Sequence, residues 1–258
     1  MRGTPKPYAV LSCHVERILD DRVWCAYRDM VRARHGGFVI ASLVRPPDTE
    51  RGEDEGLWLE RAGELAAAGP FGHHTHWSGP EHARPGDGTD AGARVLRDGA
   101  WLRERGLAPT LLCGGGWYTD ASVAAACATL GYVDCTPRST RPGYLPAGAA
   151  WAQLGAPARV QTSSGGVLAI PTTHSLGDLV RAAFRLQGPP DPVVHGYLHD
   201  TDLLDSRRRR ALVASLAVLG HRRSACDLGA LASQRREIAP SLAWEVIARG
   251  GASTDRPE

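Results

Sequence analysis

No window of the 258-residue chain approaches eighteen apolar residues, so nothing in it is expected to span a membrane. The opening residues, MRGTPKPYAVLSC, lack an apolar core long enough for a secretory signal, and this points to a cytoplasmic protein. The six cysteines (Cys13, Cys25, Cys113, Cys127, Cys135 and Cys226) are scattered with no C-x-x-C pair, and they read as buried thiols of a reducing compartment. A formal net charge of +2 is too small for the electrostatic footprint of nucleic-acid or anionic-membrane binding. No G-x-G-x-x-G or G-x-x-x-x-G-K follows the first apolar run, which argues against a nucleotide-binding open sheet. The apolar fraction, 43%, is enough for a real core, and the length suits one large domain or two small ones.

Short apolar runs alternate with amphipathic stretches. Residues 8–13, YAVLSC, read as a strand. Asp20 and Asp21 offer an N-cap, Val23, Trp24, Tyr27, Met30 and Val31 follow at helical spacing, and Gly36-Gly37 ends that helix. Further strands are expected at 38–44, from Phe71, at 109–113, 132–136, 167–171 and 192–199, and further helices at 53–68, 91–105, 120–130, 176–186 and 206–222. Two shorter helical segments finish the chain. Residues 84–92, and the longer stretch 137–166, are rich in Pro and Gly and read as irregular.

About seven strands alternating with helices predict parallel pairing in an α/β fold, and their number and length suit a single-domain barrel with residues 137–166 as an excursion. In a barrel the working residues sit where strands end at the C-terminal face. The polar residues at strand ends here are His14 and Glu16, then His74 and His76, then His199, Asp200 and Asp202. Four histidines fall within FGHHTHWSGPEH: His73, His74, His76 and His82. On a strand, alternation puts His74 and His76 on one face and His73 on the other, so two imidazoles can meet one metal ion. Trp77, Trp117 and Tyr118 follow strand ends and are candidate aromatic walls for a sugar ring. The Gly114–Gly116 triplet lets backbone approach a ligand. His195, at the parity of His199 but deeper, reads as structural, His174 as a cleft or cap residue, and the arginine run 207–210 as a charged helix start.

These motifs resemble those of the polysaccharide deacetylases of the NodB-homology type, carbohydrate esterase family 4. LSCHVE looks like the family's Asp-Val-Glu strand end, with His14 at the first acid and Glu16 kept. GHHTHW is similar to the family's Gly-Asn-His-Thr-x-x-His through Gly72, His74 and Thr75. The second family histidine falls on Ser78, so His76 or His82 has to stand in for it. The Arg-x-Pro motif falls near Cys113 to Gly116, where no arginine stands. VHGYLHDTDLL looks like the late His-Pro-Trp-Glu motif, with His199 at the histidine and Asp202 at the acid. The resemblance spans most of the chain and implies a distorted barrel of seven or eight parallel strands, NodB-like, with a small-molecule or oligosaccharide substrate.

Amide hydrolysis needs an activated water, a polarised carbonyl and an acid for the leaving amine. A divalent ion supplies the first two, and one carboxylate with two imidazoles and an open position is the usual pattern of catalytic zinc. Glu16, His74 and His76 are the expected zinc ligands. His199 is the expected general acid, with Asp200 or Asp202 behind it. His14 is either a further ligand or the general base. The expected activity is removal of an N-acetyl or similar acyl group from an amino sugar. Hydrolysis of a cyclic amide, or ligand binding at an altered and inactive site, are the other readings.

Overall fold

In the computed structural model, which describes residues 7–86, 88–184 and 193–249, helix starts are written in aspartates. Asp20, Asp54, Asp90, Asp120, Asp205 and Asp227 each cap a helix, their carboxylates accepting the first free backbone N–H groups. The helices are α1 (Asp21–Ala33), α2 (Glu55–Ala68), α3 (Ala91–Glu104), α4 (Ala121–Leu130), α5 (Leu176–Phe184), α6 (Ser206–Arg222), α7 (Leu228–Arg235) and α8 (Trp244–Ile247). None is long and apolar enough to cross a membrane.

The strands are β1 (Tyr8–Val15), β2 (Ala41–Val44), β3 (Phe71–Thr75), β4 (Leu111–Gly114), β5 (Val133–Asp134), β6 (Trp151–Ala152), β7 (Ala158–Thr162), β8 (Gly165–Ala169), β9 (Val193–His199), β10 (Ser224–Ala225), β11 (Ser241–Ala243) and β12 (Ala248–Arg249). One sheet runs β10-β1-β2-β3-β4-β5-β8-β7-β11, with β9 paired along β1. Within it only β7 and β8 are antiparallel. The alternation of strands and helices thus yields the expected mixed α/β fold with a mostly parallel sheet.

Strand parity sorts the core. Ala9, Leu11, Cys13 and Val15 of β1 enter the cluster under α1, α2 and α6. Val10 points the other way, among Leu43, Leu111, Val133 and Ile170. Ser12 and His14 share the side of Val10, and His14 stands above that apolar floor. On β9, Leu198 enters the outer cluster while Tyr197 packs on the inner one, as alternation requires.

Four expectations change. The stretch 137–166 holds β6 and most of the β7–β8 hairpin; Ala158 and Val160 are buried while Arg159 and Gln161 face outward, a two-residue alternation inside a Gly- and Pro-rich context. The short strands β10, β11 and β12 carry two or three residues each, too few for a periodic signal. The expected barrel is not closed by a strand pair among the described residues; isolated bridges join Arg138 to Thr172 and His174 to Gly196. Four of the cysteines are buried and all six are free, but Cys25 is exposed on the outer face of α1. Arg185, Leu186 and Pro192, expected at element ends, lie outside the described residues.

Candidate active site

Parallel register does the first part of the assembly. His14 is level with His199 across β1 and β9, and His74 is level with Cys113 across β3 and β4. Glu16 follows β1, and its backbone N–H and that of Arg17 are held by the Asp200 carboxylate at 2.9 and 2.8 Å. That carboxylate also accepts the Thr201 N–H, so one fully buried acid ties the end of β1 to the end of β9.

Glu16 Oε1 is the point of convergence. It lies 3.3 Å from His74 Nε2, 3.2 Å from His76 Nε2 and 3.6 Å from His199 Nε2. The protons on these rings follow from their other partners. His74 Nδ1 faces the Cys113 carbonyl at 2.8 Å, and His76 Nδ1 faces the Pro80 carbonyl. A carbonyl can only accept, so both Nδ1 atoms carry hydrogen. Burial holds the His74 pKa below its ordinary value, so that ring is neutral and its Nε2 presents a lone pair to the carboxylate.

A lone pair aimed at a carboxylate oxygen repels it unless a cation lies between. Two donors bound to one tetrahedral zinc, each about 2.0–2.1 Å from it, stand about 3.3–3.4 Å apart. The separations at Glu16 match that spacing, and the paired Nδ1–H···O=C bonds are the outer support that metal-bound histidines use. Glu16, His74 and His76 therefore fit a divalent ion. His14 with His74 and Cys113, and His14 with Glu16 and His199, are two further groupings close enough to share one. Burial first, and then Asp134, raises the Cys113 thiol well above its ordinary pKa.

His199 is arranged the other way round. Its side chain accepts the Asp202 backbone N–H while the Asp202 carboxylate accepts the His199 N–H at 2.9 Å. The Asp202 carboxylate also lies 3.9 Å from His199 Nδ1, and Nε2 is on the side of Glu16. Asp202 is also paired with Arg208 at 2.5 Å. His14 stacks on His74 with centroids 4.3 Å apart and packs against Trp117 and Tyr197. Burial, reinforced by His74 and His199, keeps its pKa well below the ordinary value, and its Nε2 has no protein partner.

A cavity of about 410 Å³ opens over these groups, with Trp117, Tyr197, Tyr144 and Arg84 on its walls. Trp117, a candidate wall residue, lines the cavity. Trp77 does not: it is buried in the core with Nε1 donating to the Gly115 carbonyl, because the turn after β3 folds it inward. Tyr118 meets Trp77 edge-to-face and gives its hydroxyl to Asp120, away from the cavity. His82 is exposed, and its backbone closes the turn at Trp77. His195 is buried and bonds Ser12 at 2.9 Å, the structural role expected. Sequence reasoning missed Tyr197, which strand parity places beside His199, and Tyr144 and Arg84, which come from segments without periodicity.

No protein-family profile matches the chain, and none of the curated proteins matches it in sequence. Among solved structures, a candidate polysaccharide deacetylase from Mycobacterium smegmatis superposes with a TM-score of 0.57 at 14% identity, over 93% of this chain and 94% of that one. A 4-alpha-glucanotransferase from Thermococcus litoralis gives the same TM-score at 8% identity, over 93% of this chain and 42% of that one. Likeness at these identities is likeness of fold, and one fold serves both chemistries. The chain shares its mixed α/β architecture with a deacetylase-type protein, and its own side chains have to say what it does with it.

Proposed function

We propose that this protein is a metal-dependent hydrolase that removes an N-acetyl or similar acyl group from an amino sugar or glycoside. The observation that carries the reading is the convergence of two carbonyl-anchored imidazoles on one carboxylate oxygen, at 3.2 and 3.3 Å. Glu16, His74 and His76 would hold the ion, with zinc favoured by two nitrogens and one oxygen. Such an ion, when bound, polarises the scissile carbonyl and makes water a stronger acid.

This chain's own residues do the rest. His199, in its imidazolium form at the edge of the cavity, gives its Nε2 proton to the leaving nitrogen and becomes a neutral ring. Asp202 holds that ring by its backbone and leaves Nε2 pointing inward. His14, neutral and with Nε2 free of protein partners, takes the proton of the attacking water. Trp117 and Tyr197, whose rings meet at 4.7 Å, form a wall for the sugar. The fold likeness to a deacetylase supports the same reading. A glycosyl-transfer site would need two carboxylates across the cavity. Here the second lining acid, Glu81, is exposed and paired with Arg17.

Elemental analysis of the purified protein, followed by an acetate-release screen over N-acetylated sugars, tests the proposal. One divalent ion per chain and acetate release are expected. A folded protein with no retained metal and no zinc-dependent activity refutes it. Loss of metal in His14→Ala would make His14 a fourth ligand instead of the base.

A further inference from the structure

The wall of the cavity away from Glu16 carries positive charge that the protein does not neutralise. Arg84 lines the cavity, and its guanidinium donates to two carbonyls, Gly116 O at 2.6 Å and Ala150 O at 2.7 Å. Carbonyls take two of its N–H groups but leave its charge. Arg138 stands behind the aromatic wall, 4.4 Å over the Trp117 ring and 5.1 Å over Tyr197. It is 5% exposed, and its Nε and Nη1 have no hydrogen-bond partner. Among the described residues no carboxylate forms an ion pair with either arginine; Asp178 acts on Arg138 only from a distance and is engaged by Ser175 and Arg181. Tyr144, from the excursion, lines the same wall, and its hydroxyl lies in the field of both guanidiniums.

An arginine does not escape burial by losing its proton, so an unpaired one is costly to keep. The aromatic faces offset part of that cost. A ligand anion would offset the remainder. Resting on the deacylase reading above, we propose that the substrate is an anionic amino sugar, an N-acylated sugar bearing a carboxylate or a phosphate, whose charged group lies against the Arg84–Tyr144 wall with Arg138 behind it.

Binding to the full chain is measured by tryptophan fluorescence with three probes: N-acetylglucosamine, N-acetylmuramic acid for the carboxylate and N-acetylglucosamine 1-phosphate for the phosphate. At least one anionic probe should bind about tenfold or more tighter than the neutral sugar, the scale of one charge-assisted contact. The preference should shrink with added salt. Arg84→Gln and Arg138→Gln should each remove most of it, and Arg138→Lys should restore part. If a glutamine variant fails to fold, the salt dependence of the wild-type preference remains the test. Equal affinity for neutral and anionic probes overturns the inference, as does a preference that both folded glutamine variants retain. Acetate release from neutral and anionic sugars alike leaves the deacylase standing and this inference refuted. Selective binding of an anionic probe without acetate release does the reverse.

Discussion

Metal removal is the perturbation with the largest expected effect, and its size can be worked out. The three donors already stand at ligand spacing around Glu16 Oε1, and both imidazoles are anchored by carbonyls, so binding has little structure to reorganise. A ligand that binds only the folded state adds RT ln(1 + [L]/Kd), about 4.1 kcal/mol when free zinc is about a thousandfold above Kd. For a domain near this size each kcal/mol moves Tm by about 2–4 °C, so chelation should lower Tm by about 8–16 °C under that condition. Thermal unfolding across a series of zinc buffers reads the increment. His74→Ala removes one of the three donors and should abolish the zinc-dependent part, whatever it does to the metal-free protein. The comparison is between increments, so a cavity left by the lost imidazole does not confuse it. A wild-type Tm indifferent to zinc, or an increment kept in His74→Ala, refutes the site.

His199→Ala should keep its metal but lose turnover by about a hundredfold or more, the scale of a lost acid–base group, while Asp202→Asn should lose less and shift the pH-profile limb assigned to the acid. Metal lost together with activity in His199→Ala would make His199 a ligand. Tyr144 is 65% exposed on the cavity wall, so Tyr144→Ala should raise KM with Tm unchanged, whereas Trp77→Phe should lower Tm and leave KM alone; the opposite pattern would mean the wall is wrongly placed. Burial pushes the His195 pKa down to about 4, so the folded state takes up its proton later than the unfolded chain does. Its stabilising contribution is present above the unfolded value, near 6.5, and is lost as pH falls towards 4, about 3 kcal/mol in all. His195→Gln should flatten that part of a urea-unfolding series, and an unchanged slope would refute the assignment.

Much of the architecture was legible because the signals are local. Aspartate caps, helical spacing and apolar runs depend on neighbours a few residues apart, and α1, α4 and α6 fall where those signals put them. Strand parity is local as well, which is why His74 and His76 were expected on one face and His73 turned away; His73 indeed lies on the outer side beside Asp98. The hairpin β7–β8 was hidden because Gly and Pro around it outweigh a five-residue alternation.

Residue types and spacing along the chain therefore determined the α/β class, the strand ends and the pool of chemistry-bearing side chains. Which of them meet was decided only by the tertiary structure. Glu16 and His199 are separated by most of the chain and become neighbours because β1 and β9 pair in register and Asp200 ties their ends together. The tautomers of His74 and His76 rest on carbonyls of Cys113 and Pro80, backbone groups that carry no side-chain signature. Trp77 and Trp117 look alike in sequence, both aromatic after a strand end. The turn at Pro80 and His82 folds one into the core, and the glycine triplet sets the other on the cavity wall, where Gly114 admits the Tyr118 carbonyl only because it has no Cβ to collide with it.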